Sequence, residues 1–169
     1  MRPDRRSNEF FDRLSNHPIE IKPFDPASKM KSGIYGEKLN QLLLQFNASA
    51  ELFGSTALEI AGKGEWEYAI WLDDSQWFPV LIHLINHYHT IHALTDDFAV
   101  FTDREMETDI EVIPMRGEAA KRNQAIMNYW LNNTAARNDY ELGKLQHAFS
   151  KQAYYRWKDD YIAHIVEKL

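Results

Sequence analysis

Apolar and polar residues alternate most cleanly between Glu65 and Leu72. Trp66, Tyr68, Ile70 and Leu72 fall on one face of an extended chain, and Glu65, Glu67, Ala69 and Trp71 on the other. A period of two predicts a strand with one face in a core and the other open enough to carry carboxylates. Weaker alternation predicts a short strand over Ile19–Phe24, stopped by Asp25-Pro26, and another over Glu51–Phe53. Two more are predicted over Phe98–Thr102 and Thr108–Ile113, joined by a charged turn at Asp103-Arg104-Glu105. Spacings of three and four predict helices elsewhere. One runs from Tyr35 to Phe46, with apolar positions at 35, 39, 42, 43 and 46. A second, capped by Asp73-Asp74-Ser75, runs over 76–94 with Leu81, Leu84, Ile85, Tyr88 and Ile91 as its buried stripe. Beyond Pro114 and Gly117 three helices are predicted, over 118–132, 135–150 and 152–168, broken at Asn132-Asn133-Thr134 and at Ser150. Residues 1–17 read as a polar arm or short helix around Phe10-Phe11. The order predicts an α/β (α+β) fold: a strand-rich core over about 18–116 wrapped by helices, then a helical tail over about 117–169.

Composition narrows the class. A chain of 169 residues is expected to form one domain (here 18–169), and 44% hydrophobic and 13% aromatic residues suffice to fill its core. The net charge of −6 argues against an extended nucleic-acid surface, so any phosphate site must be local. Cysteine is absent, which excludes disulfides and thiolate metal sites. The charged start and the lack of any long apolar run predict no signal peptide and no membrane span, hence a cytoplasmic protein.

The chemistry-bearing residues cluster around the strongest strand. Gly54-Ser55-Thr56 lies just upstream, a turn whose amides and hydroxyls can approach a phosphate. Glu65 and Glu67 point the same way from their strand, and Asp109-Ile110-Glu111 repeats the pattern on the last predicted strand. If the two strands are neighbours, three or four carboxylates converge. They would hold one or two divalent cations, Mg²⁺ above all, because hard cations take oxygen ligands and bridge them to substrate phosphates. Lys63 precedes the strand and can meet a phosphate as a point charge. Each feature also has a plainer account: Glu-x-Glu is common on a solvated strand face, Ser55 or Thr56 can cap a helix, and Lys63 can be a turn lysine. His83, His87, His89 and His92 crowd one predicted helix, and His83 and His87 have a zinc-like spacing without an evident third ligand. The tail aromatics, Tyr129, Trp130, Tyr140, Phe149, Tyr154, Tyr155, Trp157 and Tyr161, are spaced as core. Neither a nucleophile elbow nor a Walker lysine loop is present.

These residues resemble a known family. Ile19-Glu20-Ile21-Lys22-Pro23-Phe24-Asp25-Pro26 looks like the opening of GrpB-like proteins, and Gly54-Ser55-Thr56-Ala57-Leu58 with Lys63 looks like their Gly-Ser-Thr segment. In the tail, Tyr129-Trp130-Leu131, Asp139-Tyr140-Glu141 with Lys144, and Tyr154, Lys158, Tyr161-Ile162 and Ile165 resemble further elements of that family in the same order. The resemblance covers about residues 18–169. It implies the polymerase-β-like nucleotidyltransferase superfamily and a mixed sheet flanked by helices. It also implies an active site between Gly54-Ser55-Thr56 and the acidic strand, with Glu67 at the family's acidic position. Lys63, Lys144 and Lys158 would then meet the phosphates. In three places the chain departs from the family: the turn-to-strand segment is one residue shorter, Glu67 replaces an aspartate, and Asp109-Ile110-Glu111 stands where the family often shows His-x-His. The expectation is a Mg²⁺-dependent nucleotidyltransferase with Glu67, Glu65 and Glu111 as catalytic carboxylates and Glu65, Glu67, Asp109 and Glu111 as metal ligands. Its partners would be a nucleoside triphosphate and a hydroxyl acceptor. A catalytically silent nucleotide- or protein-binding member of the same fold is the alternative, and zinc on the histidine helix a third.

Overall fold

The computed structural model describes residues 6–105 and 107–169; the first five residues of the expected arm lie outside them. Its sheet has five strands: β1 (Ala50–Phe53), β2 (Trp66–Trp71), β3 (Ile91–Leu94), β4 (Ala99–Glu105) and β5 (Thr108–Met115). Their spatial order is β1-β2-β5-β4-β3. β2 and β5 pair in parallel, and every other neighbouring pair is antiparallel. The helices are α1 (Asn8–Asp12), α2 (Pro26–Leu43), α3 (Gly54–Leu58), α4 (Asp74–Tyr88), α5 (Gly117–Asn132), α6 (Thr134–His147) and α7 (Lys151–Val166). The result is a mixed α/β fold with a five-stranded mixed sheet.

The alternation in the sequence becomes the two faces of the sheet. Trp66, Tyr68 and Ile70 of β2 join Ile110 and Val112 of β5 and Phe101 of β4 in a core closed by Tyr35, Leu39 and Leu43 of α2 and by Trp77, Val80, Leu81 and Leu84 of α4. Polar tips in this core find partners: Trp66 Nε1 donates to Ser28 Oγ at 2.8 Å, Tyr68 OH to the Ser32 carbonyl at 2.6 Å, and Tyr35 OH to Asp103 at 2.7 Å. On the opposite face Ala69, Met115 and Ala120 meet. A further cluster joins Leu58 and Ile60 to Ile126, Met127 and Trp130 of α5, Tyr140 of α6 and Ile165 of α7, which docks the last three helices beside α3.

Four boundaries differ from the sequence expectation, each for a local reason. Asp25-Pro26 begins a helix: Asp25 accepts the Ala27 N–H and Pro26 occupies the first turn, so α2 starts well before Tyr35. The strand expected at 19–24 reduces to one isolated pairing of Lys22 with Gly62, between prolines at 18 and 23. The helix expected over 76–94 ends at Tyr88, because His89 turns left-handed (φ 62°), and the remainder forms β3. Asp103-Arg104-Glu105 continues β4 into the hairpin, and β5 runs through Pro114, where its pairing with β4 lapses after Val112 and resumes only at the isolated Phe98–Met115 bridge.

The start of α4 carries a reciprocal cap. Asp73 accepts the Gln76 N–H at 2.9 Å, and the Gln76 side chain accepts the Asp73 N–H at 3.0 Å. Asp73→Ala is expected to lower the thermal midpoint by about 2–4 °C with unchanged far-UV circular dichroism. No change in midpoint would mean that water replaces the cap at no cost.

Candidate functional site

β1 ends at Phe53, which pairs with Glu67 of β2. The chain then turns sharply into α3 at Gly54, whose φ of +64° favours glycine. A Cβ on Gly54 would stand 1.7 Å from Glu67 Oε2, so the carboxylate lies directly against the turn. The parallel register sets Glu67 beside Glu111 on the same face. Both are half-buried. Burial and the neighbouring Glu67 and Glu65 carboxylates push the proton affinity of Glu111 up, against the opposing pull of Lys63 and Lys158. Two facing carboxylates at the rim of a core repel each other, and a cation between them would remove that penalty.

Glu65 is placed differently. It forms an ion pair with Lys63 at 2.6 Å, at the entrance to β2. Burial opposes the charge on Lys63, but Tyr155, Glu65 and Glu67 outweigh it and keep the ammonium protonated above its usual range. Asp109 is exposed and turned towards Arg104 of β4, at 3.7 Å. Of the four carboxylates the sequence singles out, the structure brings Glu67 and Glu111 side by side, and sets Glu65 and the exposed Asp109 along the cleft that Glu111 also lines.

Lys144 lies deeper than a phosphate contact would require. It sits on α6 at 1% exposure and donates to Ser55 Oγ at 2.6 Å and to the Ala61 carbonyl. One turn earlier Glu141 accepts the Ala61 N–H at 2.6 Å, so α6 grips both sides of one residue in the α3–β2 loop. Gly62 leaves room for this, since a Cβ there would come within 2.7 Å of Ser55 Cβ. Burial first, then the Lys158 charge, lower the Lys144 pKa to about 7, against Glu67 and Glu141, which favour the ammonium. Lys158 of α7 is half-buried near the same carboxylates and has no hydrogen-bond or ion-pair partner among the described residues. Thr56 Oγ1 donates to the Glu65 carbonyl at 3.1 Å, which commits its hydroxyl proton to structure.

Sequence reasoning missed Glu141, whose loop contact needs the α6 packing to become visible, and Tyr155, which faces Lys63 from α7. The histidines do not share one helix. His83 packs on Phe46 with ring centroids 5.0 Å apart, His87 meets Tyr88 edge-on, His89 ends α4, and His92 is exposed on β3. Among the described residues no group of three or more His, Asp or Glu is placed to hold a metal ion. A pair of carboxylate oxygens still suits Mg²⁺, which commonly takes one or two protein carboxylates and completes its shell with phosphates and water. Glu67 and Glu111 fit that donor set.

No protein-family model matches the chain, and no curated protein does. Among solved structures, it is similar to a ternary P/T complex of Leishmania infantum polymerase β, with a TM-score of 0.46 and 11% identity, over 76% of this chain and 54% of that one. It is similar to the Cid1 poly(U) polymerase (TM-score 0.47, 11% identity, 80% of this chain and 42% of that one). It is also similar to a cytoplasmic RNA terminal U-transferase, with a TM-score of 0.48 and 10% identity, over 80% of this chain and 42% of that one. The chain thus spans about half the length of these structures or less. They are polymerase-β-like nucleotidyltransferases.

Proposed function

We propose that this chain is a GrpB-like member of the nucleotidyltransferase superfamily that moves a nucleoside monophosphate from a nucleoside triphosphate to a hydroxyl acceptor. One observation carries the reading: the parallel register places Glu67 beside Glu111, with the first carboxylate packed on the Gly54-Ser55 turn. A half-buried anionic pair next to a turn with a serine hydroxyl and three lysines suits a metal–polyphosphate ligand better than a metal or an anion alone. Glu67 and Glu111 would hold Mg²⁺, which when bound would polarise the phosphoryl oxygens and favour the ionised acceptor hydroxyl. Ser55 would donate to a phosphate oxygen, and Lys158 and Lys63 would balance the polyphosphate charge. Lys63 also holds Glu65 still through their ion pair. The acceptor oxygen forms its bond to the α-phosphorus, its proton passes to solvent, and the bond to pyrophosphate breaks.

The reading is tested by thermal midpoints with each of the four nucleoside triphosphates, in Mg²⁺ and in EDTA. A ligand at a hundredfold excess over its dissociation constant stabilises the native state by about 2.7 kcal/mol. A Mg²⁺-dependent rise is expected, and it should vanish in Glu67→Gln and in Glu111→Gln. Because Glu111 binds its proton more tightly folded than unfolded, its ionised form opposes folding, and stability falls as pH rises through its folded pKa. Neutral glutamine removes that cost, so Glu111→Gln should keep or raise the midpoint of the free protein at neutral pH. Unfolding of either variant would make these carboxylates structural and remove the proposed site.

A silent nucleotide-binding member is the second reading. It is favoured by one observation: Glu65 is already paired with Lys63 and Asp109 with Arg104, which leaves two carboxylates of the expected four. A nucleotide-induced rise that is indifferent to Mg²⁺, with no pyrophosphate released, would establish it.

A further inference from the structure

We propose that Lys144 is a positioning residue that turns Ser55 into a one-way hydrogen-bond donor, so that the Gly-Ser turn accepts a tetrahedral oxyanion only while Lys144 is charged. The inference rests on the phosphate role given to Ser55 above and adds its control. An ammonium has three protons and no lone pair. With Lys144 Nζ donating to Ser55 Oγ at 2.6 Å, the serine hydrogen cannot point back at the lysine. No described residue accepts it, so it remains for a ligand oxygen. A second donation to the Ala61 carbonyl, beneath the Glu141 contact to the Ala61 N–H, fixes where Nζ sits. The neutral amine has a lone pair. It can accept the Ser55 hydrogen and withdraw it from the ligand.

Burial places the switch near neutrality, with a Lys144 pKa of about 7. The charged groups around it act in both directions. Lys158 of α7 and Lys63 at the start of β2 disfavour the ammonium, whereas Glu67 of β2 and Glu141 of α6 favour it. The Tyr140 ring lies 5.4 Å from Nζ. An oxyanion on Ser55 adds a negative charge and raises the Lys144 pKa, so binding takes up a proton. Affinity is then full below pH 7 and is lost as pH rises above it.

Inorganic sulfate is the probe, because it stays a dianion across this range and brings no titration of its own. Its dissociation constant would be measured by NMR titration without Mg²⁺ at pH 6.0 and pH 8.5. The native protein is expected to bind about thirtyfold more weakly at the higher pH, as the charged fraction of Lys144 falls. Lys144→Met should bind weakly at both, with the pH dependence gone. Its thermal midpoint should move little, since losing a buried amine offsets leaving the Ala61 carbonyl without its donor. Ser55→Ala, which leaves Lys144 in place, should also lose the pH dependence. Equal affinity at both pH values, absence of sulfate binding, or pH dependence that survives in either variant would overturn the proposal. None of these outcomes bears on Mg²⁺-dependent nucleotide binding, whose failure sinks the nucleotidyltransferase reading alone.

Discussion

Gly143→Ala is expected to destabilise the protein by about 2–3 kcal/mol and to lower its thermal midpoint by roughly 5–10 °C. In an exposed helix interior the same change stabilises by about 1 kcal/mol, because alanine is the better helix former. Here the new Cβ would stand 2.1 Å from Trp157 Cζ2 and 2.5 Å from Cε2. The indole cannot step aside. It lies parallel to His147 at 5.1 Å and to Tyr140 at 5.8 Å, and Tyr140 in turn stacks on Trp130 at 4.3 Å. The alternative is for α6 to move away from α7, which draws the adjacent Lys144 off Ser55. Loss of stability should therefore come with loss of nucleotide-induced stabilisation. Gly33→Ala is the control: it lies inside α2 with nothing within 4 Å of the added Cβ, and should hold or raise the midpoint. Equal effects at the two positions would mean that Trp157 packing is not the cause.

The stack that makes Gly143 intolerant shows where sequence reading stops. The spacing of Tyr140 and Trp157 marks them as core, but the glycine that lets α6 and α7 approach gives no periodic signal of its own. β2 was legible because its alternation is unbroken and its aromatic residues face one way. α5, α6 and α7 were legible from their apolar spacing and from the breaks at Asn132-Asn133-Thr134 and Ser150, where Asn133 and Ser150 cap α6 and α7 by accepting the Ala136 and Ala153 N–H groups. Long-range pairing was not legible. Nothing local says that β5 inserts between β2 and β4, yet that insertion sets Glu67 beside Glu111 and sends Asp109 to solvent. Ile91 misled in the opposite sense. It fits the α4 stripe at helical spacing, but the left-handed His89 has already ended the helix, and the same side chain serves β3. Lys144 was legible only through a resemblance, as a phosphate contact. Its burial beneath Ser55 gives it a different task.

Gly54→Ala is expected to abolish Mg²⁺-dependent nucleotide binding while leaving a folded protein about 1–2 kcal/mol less stable. Two costs arise at this position. The φ of +64° is unfavourable for any residue with a Cβ, and that Cβ would fall 1.7 Å from Glu67 Oε2. The backbone cannot relax freely, because Phe53 is held in register against Glu67. The glutamate tip can, so it should swing off the turn and away from Glu111. Gly117→Ala separates the two costs. Its φ of +53° carries a similar backbone penalty, but nothing lies within 4 Å of the added Cβ. It should lose less stability, the backbone share alone, and keep nucleotide binding. Adding Glu67→Ala to Gly54→Ala removes the collision and should restore part of the stability without restoring binding. If Gly54→Ala alone still binds nucleotide in a Mg²⁺-dependent way, the Glu67 carboxylate is not held by the turn for that purpose, and the metal must be sought elsewhere on the sheet.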